Sequence, residues 1–245
     1  DDGAGGDAPA FQSDPEPPAP EPYEDTLPPP PPVADLEPPA DNGEADDRPV
    51  LELFVKAAVD KMKNGGCPTC HRYFLVFYVL RERGLIDLVV TTFLPENPPK
   101  EVLDISNGKH YPLIKVHKGI DGRGLDMTGI ECDTVDEIEK LLDRFECDDM
   151  ASSKESRAEG VAEKSFEDLY KTFMVFLKDT SNSEVQLVRQ LEKVDAHLRD
   201  NGSTFMISDR LQRADCYLLP SIQHIRVAGK AYKNFEIPTE LTYIW

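Results

Sequence analysis

An α/β half followed by an all-helical half is the fold class this 245-residue sequence predicts, and three observations predict it. Short apolar runs alternate with helical periodicity between residues 51 and 145. A pair of cysteines, Cys67-Pro68-Thr69-Cys70, sits where the first of those runs gives way to the first helical stretch. From residue 165 onward the apolar residues recur only at helical spacing.

Taken in order, residues 51–57 read as a strand, residues 68–83 as a helix, residues 88–93 as a strand and residues 99–105 as a short helix. A third strand follows at 113–116. A Gly-rich connection then passes through Gly119, Gly122 and Gly124 to a strand near 127–132 and a helix over 135–145. This β-α-β-α-β-β-α order is that of a thioredoxin-type domain. Residues 146–159 are polar and acidic and read as an exposed linker. Beyond it, Phe166, Leu169, Tyr170, Phe173 and Leu177 form one helical stripe and Val185, Val188, Leu191, Val194 and Leu198 a second, both read as core. A third helix starts near Arg213 and carries Pro220 in its interior, where a kink is expected. The division expected is an arm over 1–48, an α/β domain over 49–145, a linker over 146–164 and a helical domain over 165–245.

The arm is set apart by composition. Residues 1–47 hold 14 acidic residues, 13 prolines and no Lys or Arg. With so few apolar side chains it cannot bury enough surface to offset the entropy of ordering, so it is expected to be disordered. Leu27 and the five prolines at 28–32 favour a polyproline-II segment, a form read by proline-rich-ligand domains, although a solvated spacer is the plainer reading. The remainder carries 32 acidic against 27 basic residues. A formal charge of −19 for the chain therefore reduces to −5 outside the arm. Without a basic patch, nucleic acid is not an expected partner. Five unevenly spaced cysteines do not form a disulfide framework, and no basic segment followed by an apolar one opens the chain. A reducing, cytoplasmic setting is the expectation.

At the start of a helix, unpaired amides and the positive end of the dipole stabilise an anion. Cys67 is therefore expected to be a better thiolate than a free cysteine, whose pKa is about 8.5. Pro68 suits the first helical position because its missing N–H has no partner there. Cys70, one turn on, is placed as a resolving thiol. Rival readings share these residues. With His71 the motif reads C-x-x-C-H, a haem attachment sequence. A zinc site would need further ligands, and Cys132, Cys147, His110 and His117 supply no second paired spacing. Two inert buried thiols are the bland alternative. The strand–loop–helix context favours a redox site over all three. In such a topology Tyr111-Pro112, just before the third strand, is expected to be cis and to present backbone to a peptide-like ligand. His224 and Cys216 read as core residues of the last helix, and no argument assigns a role to Cys132 or Cys147.

The strand followed by C-P-x-C, and above all Ala214-Asp215-Cys216-Tyr217-Leu218-Leu219-Pro220 with His224, Lys230, Tyr232, Phe235 and Ile237-Pro238, resembles the chloride intracellular channel family within the glutathione transferase superfamily. That resemblance implies a thioredoxin-like domain followed by an all-helical glutathione-transferase-like domain. It also implies a glutaredoxin-like, glutathione-dependent oxidoreductase activity and a proposed second state as a membrane-inserted chloride channel. Carried onto this sequence, Cys67 is the nucleophile with Cys70 beside it. Pro68, Arg72, Tyr111, Pro112, Asp133 and Thr134 are the glutathione-binding positions, and no metal is implied. Glutathione is thus the expected co-substrate, with membrane lipid and chloride as further partners and reversible membrane association as an expectation. The alternative implied function is a non-catalytic membrane or cytoskeletal scaffold that recruits partners through the arm. The family pattern continues past Trp245 with another pair of helices.

Residues 73–94 correspond to the segment proposed to cross the bilayer. Arg81, Glu82, Arg83 and Asp87 fall near its middle. At about 2.5–3.5 kcal/mol for each Arg or Asp at a helix centre, these charges cost roughly 10 kcal/mol, against about 4–8 kcal/mol from the apolar residues. Insertion by this segment alone is unfavourable, a sign that oligomerisation or a water-filled pore could reverse.

Overall fold

The computed structural model describes residues 47–61, 63–106, 110–151, 157–180 and 183–245; the acidic arm, with its proline run at 28–32, lies outside them. The first half is built on a four-stranded sheet. β1 (Val50–Lys56), β2 (Asp87–Phe93), β3 (Leu113–Lys118) and β4 (Glu131–Cys132) lie in the order β2-β1-β3-β4. β1 runs parallel to β2 and antiparallel to β3, and β4 is antiparallel to β3. As one of the two inner strands, β1 is buried on both faces. Leu51, Leu53 and Val55 enter the main core while Phe54 joins Phe93, Val102 and Leu113 on the other side.

α1 (Pro68–Glu82) and α3 (Val135–Leu142) supply the helical side of that main core, through Cys70, Tyr73, Val76, Phe77 and Leu80 from α1 and Ile138, Leu141 and Leu142 from α3. The apolar spacing of α1 is the i, i+3, i+4, i+7 pattern that puts one face inward. α2 (Lys100–Ile105) closes the smaller cluster through Val102. Thr134 caps α3, its hydroxyl oxygen accepting the Glu137 N–H at 3.3 Å, an arrangement that satisfies one of the helix's orphan donors.

The second half holds α4 (Arg157–Phe166), α5 (Leu169–Lys178), α6 (Val185–Asn201) and α7 (Arg213–Lys233). Phe173, Leu191, Val194 and Ile225 are fully buried among them. α7 is anchored at its start by Asp215, whose carboxylate accepts the Gln212 N–H at 2.9 Å and the Met206 N–H at 2.8 Å. Its Cys216 packs into the core of the first half. The thioredoxin-like α/β half followed by an all-helical half is therefore the architecture.

Three local expectations change. Helix begins at Arg157, before residue 165, and Cys147, Met150, Ala151 and Glu159 are buried. The acidic stretch is thus partly core, because apolar residues spaced among its charges can turn inward. The stripe from Phe166 to Leu177 crosses a break, since α4 ends at Phe166 and α5 starts at Leu169. The fourth strand spans only two residues, with Met127 buried in the turn before it. As expected, α7 carries Pro220 in its interior, and the residue is buried.

Candidate active site

Cys67 occupies the N-cap of α1 in an extended conformation, with Pro68 as the first helical residue. The loop that delivers it folds back tightly on the end of β1: the Gly65 N–H donates to the Lys56 carbonyl at 2.6 Å. A Cβ on Gly65 would lie 2.6 Å from the Ala57 oxygen, so only glycine permits that approach. Half-buried Cys67 and buried Cys70 are both free thiols.

The two thiols are driven apart. Hydrogen bonding from the Cys70 thiol is the largest influence on Cys67. With the backbone amides of Cys70 and Thr69 and the charge of Lys56, it outweighs burial and lowers the Cys67 pKa to about 6. Cys70 moves strongly upward, through that same hydrogen bond and then burial. One sulfur is thus a thiolate at neutral pH and the other its proton donor, the division of labour that nucleophilic thiol chemistry needs.

The Tyr111-Pro112 peptide is cis. Lys56, whose charge acts on Cys67, sets its ammonium 5.7 Å from the centre of the Tyr111 ring. Tyr111, Pro112, Asp133 and Thr134 line one cleft of about 320 Å³ together with His110 and Val135. Asp133 and Thr134 stand at the start of α3, and the Asp133 carboxylate is 3.9 Å from His110.

Pro68 and Arg72 do not share that cleft. They line a second one of about 430 Å³, between α1 and the helical half, with Thr69, Tyr170, Tyr217 and Ser221. Arg72 is already engaged there. Its guanidinium stacks 3.1 Å from the centre of the Tyr217 ring and donates to Glu139 at 3.0 Å. Glu139 also accepts from Tyr73 and Tyr217, each at 2.6 Å, and faces Arg213 at 3.5 Å. Arg213 in turn donates to Glu159 at 3.0 Å. Charge-assisted bonds of this kind are among the stronger ones in proteins, and here they tie α1, α3, α4 and α7 together. Arg72 therefore fastens the two halves together while it lines this cleft.

Sequence reasoning missed Tyr170 and His224 as site residues. The Tyr170 hydroxyl lies 3.0 Å from His224 Nδ1, and their rings stack 5.7 Å apart. Burial raises the Tyr170 pKa, and the charge of Cys67 adds to that shift. His224 is lowered by burial, as is His71, which also feels His224. Tyr170 sat in an apolar stripe, and His224, though part of the family resemblance, read as a core residue of a long helix. Cys132 and Cys216, by contrast, are buried and pushed up to about 12, chiefly by desolvation. No group of three or more metal-ligating side chains occurs among the described residues.

Residues 49–132 match the CLIC-like N-terminal domain. Chloride intracellular channel Clic of Drosophila melanogaster is 31% identical over 201 residues, covering 81% of this chain and 72% of that protein. The chain belongs to the chloride intracellular channel family. Among solved structures, the CLIC homologue EXC-4 from C. elegans aligns with a TM-score of 0.63 at 24% identity, covering 81% of this chain and 76% of that one. Dehydroascorbate reductase from Chlamydomonas reinhardtii aligns with a TM-score of 0.59 at 25% identity, covering 80% and 84%.

Proposed function

We propose that this family member is a glutathione-dependent thiol–disulfide oxidoreductase with Cys67 as nucleophile. The observation that carries the reading is a thiol at the N-cap of α1, lowered to about 6. Likeness to a protein that is a dehydroascorbate reductase supports a redox role. In the reaction the Cys67 thiolate attacks the glutathione sulfur of a mixed disulfide, forming Cys67–S–S–glutathione and releasing the second thiol as its thiolate, which takes a proton. A glutathione thiolate then attacks the glutathione sulfur of that adduct. This forms oxidised glutathione and frees Cys67. Cys70 offers an intramolecular route by attacking Cys67, with glutathione leaving.

Glutathione itself is placed along the cleft of Tyr111 and Pro112. Its γ-glutamyl end lies toward Asp133, which would accept from the ligand amine, and toward the start of α3, whose dipole favours the ligand carboxylate. Turnover of a small glutathione mixed disulfide by the full chain tests the assignment. Cys67→Ser is expected to abolish it and Cys70→Ser to leave part of it. Equal activity in the two variants would sink the proposal.

Anion conductance is a reading brought by the relative named a chloride intracellular channel. Among the described residues no helix is long and apolar enough to cross a membrane. Residues 73–94 fold here as most of α1 followed by β2, and Arg83 within them is bound to Asp149. Chloride flux from liposomes, run beside protein-free and Cys67→Ser controls, distinguishes the two activities.

A further inference from the structure

The two edges of the sheet are not alike. β4 ends one side with only two residues, one of them the charged Glu131. β2 ends the other with seven, and from Leu88 to Phe93 it carries no charge, proline or glycine. Proteins ordinarily guard a long edge with lysine, proline, a bulge or a covering segment, because its free N–H and C=O groups are a template for another strand.

Pairing with β1 settles which groups are free. The Asp87 N–H donates to the Pro49 carbonyl at 2.9 Å, and the Phe93 carbonyl accepts the Ala57 N–H at 2.8 Å. In a parallel ladder alternate residues bond to the same neighbour. Asp87, Val89, Thr91 and Phe93 therefore turn their backbone toward β1, and Leu88, Val90 and Thr92 turn theirs outward. Thr92 is engaged, its hydroxyl donating to the Lys61 carbonyl at 3.4 Å. No other segment among the described residues bonds to the backbone of Leu88 or Val90. The strand is apolar on both faces there, since successive side chains point to opposite sides and Val89 is 49% and Val90 38% exposed.

The charges around this edge suit a two-fold partner. Asp87 stands at the start of the strand, part exposed, with Arg48 at 3.9 Å. At the other end, the turn that carries exposed Lys61 and Lys63 stands beside Thr92. Asp60 in that turn accepts the Lys63 N–H at 2.9 Å. Antiparallel copies of β2 bring the acidic start of one against the basic end of the other, twice; parallel copies would set like against like.

We infer that β2 is a self-association edge: two copies of this chain pair antiparallel about a two-fold axis at Val89 and join their sheets into one. In this register Leu88 of each copy exchanges N–H···O=C bonds with Val90 of the other, Asp87 falls opposite Thr91, and Thr92 is not used. The two Val89 side chains meet on the axis as a non-hydrogen-bonded pair, the closest approach in an antiparallel ladder. Such a contact is isologous and closes at two copies. It is independent of the thiol chemistry at Cys67.

Sedimentation velocity of the full chain in reducing buffer, from micromolar to sub-millimolar protein, is expected to show a monomer giving way to a dimer; the reductant keeps cysteine cross-links out of the measurement. Val89→Lys sets two ammonium groups across the axis and Val89→Glu two carboxylates. Each alone is expected to weaken the dimer roughly tenfold or more, because like charges directly opposite destabilise a strand pair. An equimolar mixture of the two should restore it as a heterodimer, which a misfolded variant could not do. Val90→Pro deletes an outward N–H while sparing the ladder to β1 and should weaken the dimer too. Val175→Lys, at an exposed position on α5, should leave it unchanged. Amide exchange read by mass spectrometry supplies a backbone readout: exchange at residues 88–90 should slow about fivefold or more between dilute and concentrated protein, and Val89→Lys should abolish the slowing. A monomer at every concentration would overturn the inference. So would a dimer that survives both Val89 variants, or one that leaves residues 88–90 unprotected, since it would use another surface.

Discussion

Cys67 and Cys147 each lie near a basic side chain, yet their chemistry is opposite. Lys56 acts on Cys67, and Arg83 donates to the Cys147 sulfur at 2.8 Å, the more intimate contact of the two. Cys67 is nevertheless lowered to about 6 while Cys147 is raised to about 11. Burial dominates at Cys147, and the Asp149 carboxylate, bound to the same guanidinium at 2.5 and 2.9 Å, cancels much of its field. At Cys67 a neighbouring thiol and two helix-start amides act together, and no anion is among the main influences on it. A cation near a sulfur does not make a nucleophile; uncompensated donors do.

The largest consequence is in alkylation rate. At pH 7 ionisation alone separates the two thiols by roughly 10⁴-fold, following from thiolate fractions set by pKa. Iodoacetamide labelling followed by mass spectrometry should show Cys67 falling about tenfold per pH unit below 6 and levelling above 7. Cys147 should rise steadily toward pH 11. Comparable labelling of both at pH 7 would erase the contrast.

Removing the donor sharpens it. Cys70→Ala takes away the largest influence on Cys67, so its labelling midpoint should move up by about one unit or more, and its rate at pH 5 should drop roughly tenfold. An unchanged midpoint would assign the effect to the helix start. Linkage has the matching sign. Because the folded state lowers this pKa, the stability it contributes is complete above the unfolded thiol's value and is lost as pH falls through 6.

Asp149→Asn works on the other side of the comparison. It should lower the labelling midpoint of Cys147 and cost about 1–2 kcal/mol in denaturant unfolding, a modest figure because the pair is about a quarter exposed. A midpoint that stays near 11 would make desolvation the whole cause. The smallest effect concerns the glutathione cleft: Thr134→Ala removes the cap of α3 and should cost about 1 kcal/mol, with no change in Cys67 labelling. A shift there would show that the two sides of the site are coupled.

Much of the first half was legible because its signals are local. An N-cap cysteine with proline after it, a strand before it and an apolar helical stripe behind it need only a few consecutive residues to be recognised. Tyr111, Pro112, Asp133 and Thr134 were assigned through resemblance, and they do meet in one cleft. Tyr170 and His224 were not legible. An aromatic in an apolar stripe looks like core at any position along a helix, and only packing shows which one reaches another element.

By itself the sequence determined the order of elements in the first half, the compositional contrast between a charged arm and the rest, and the placing of Cys67 at the start of a helix, since periodicity, proline and charge act over short range. Tertiary structure alone decided that Arg72 is bound to Glu139 and Tyr217, that Cys147 is silenced by burial with Asp149 assisting, and that α7 brings His224 and Val227 to Pro68. Each of these joins residues more than 60 positions apart or sets one charge against another, apart from the close Cys147–Asp149 pair, where the deciding factor is burial. Burial and long-range pairing are properties of the packed chain, and no local pattern encodes them.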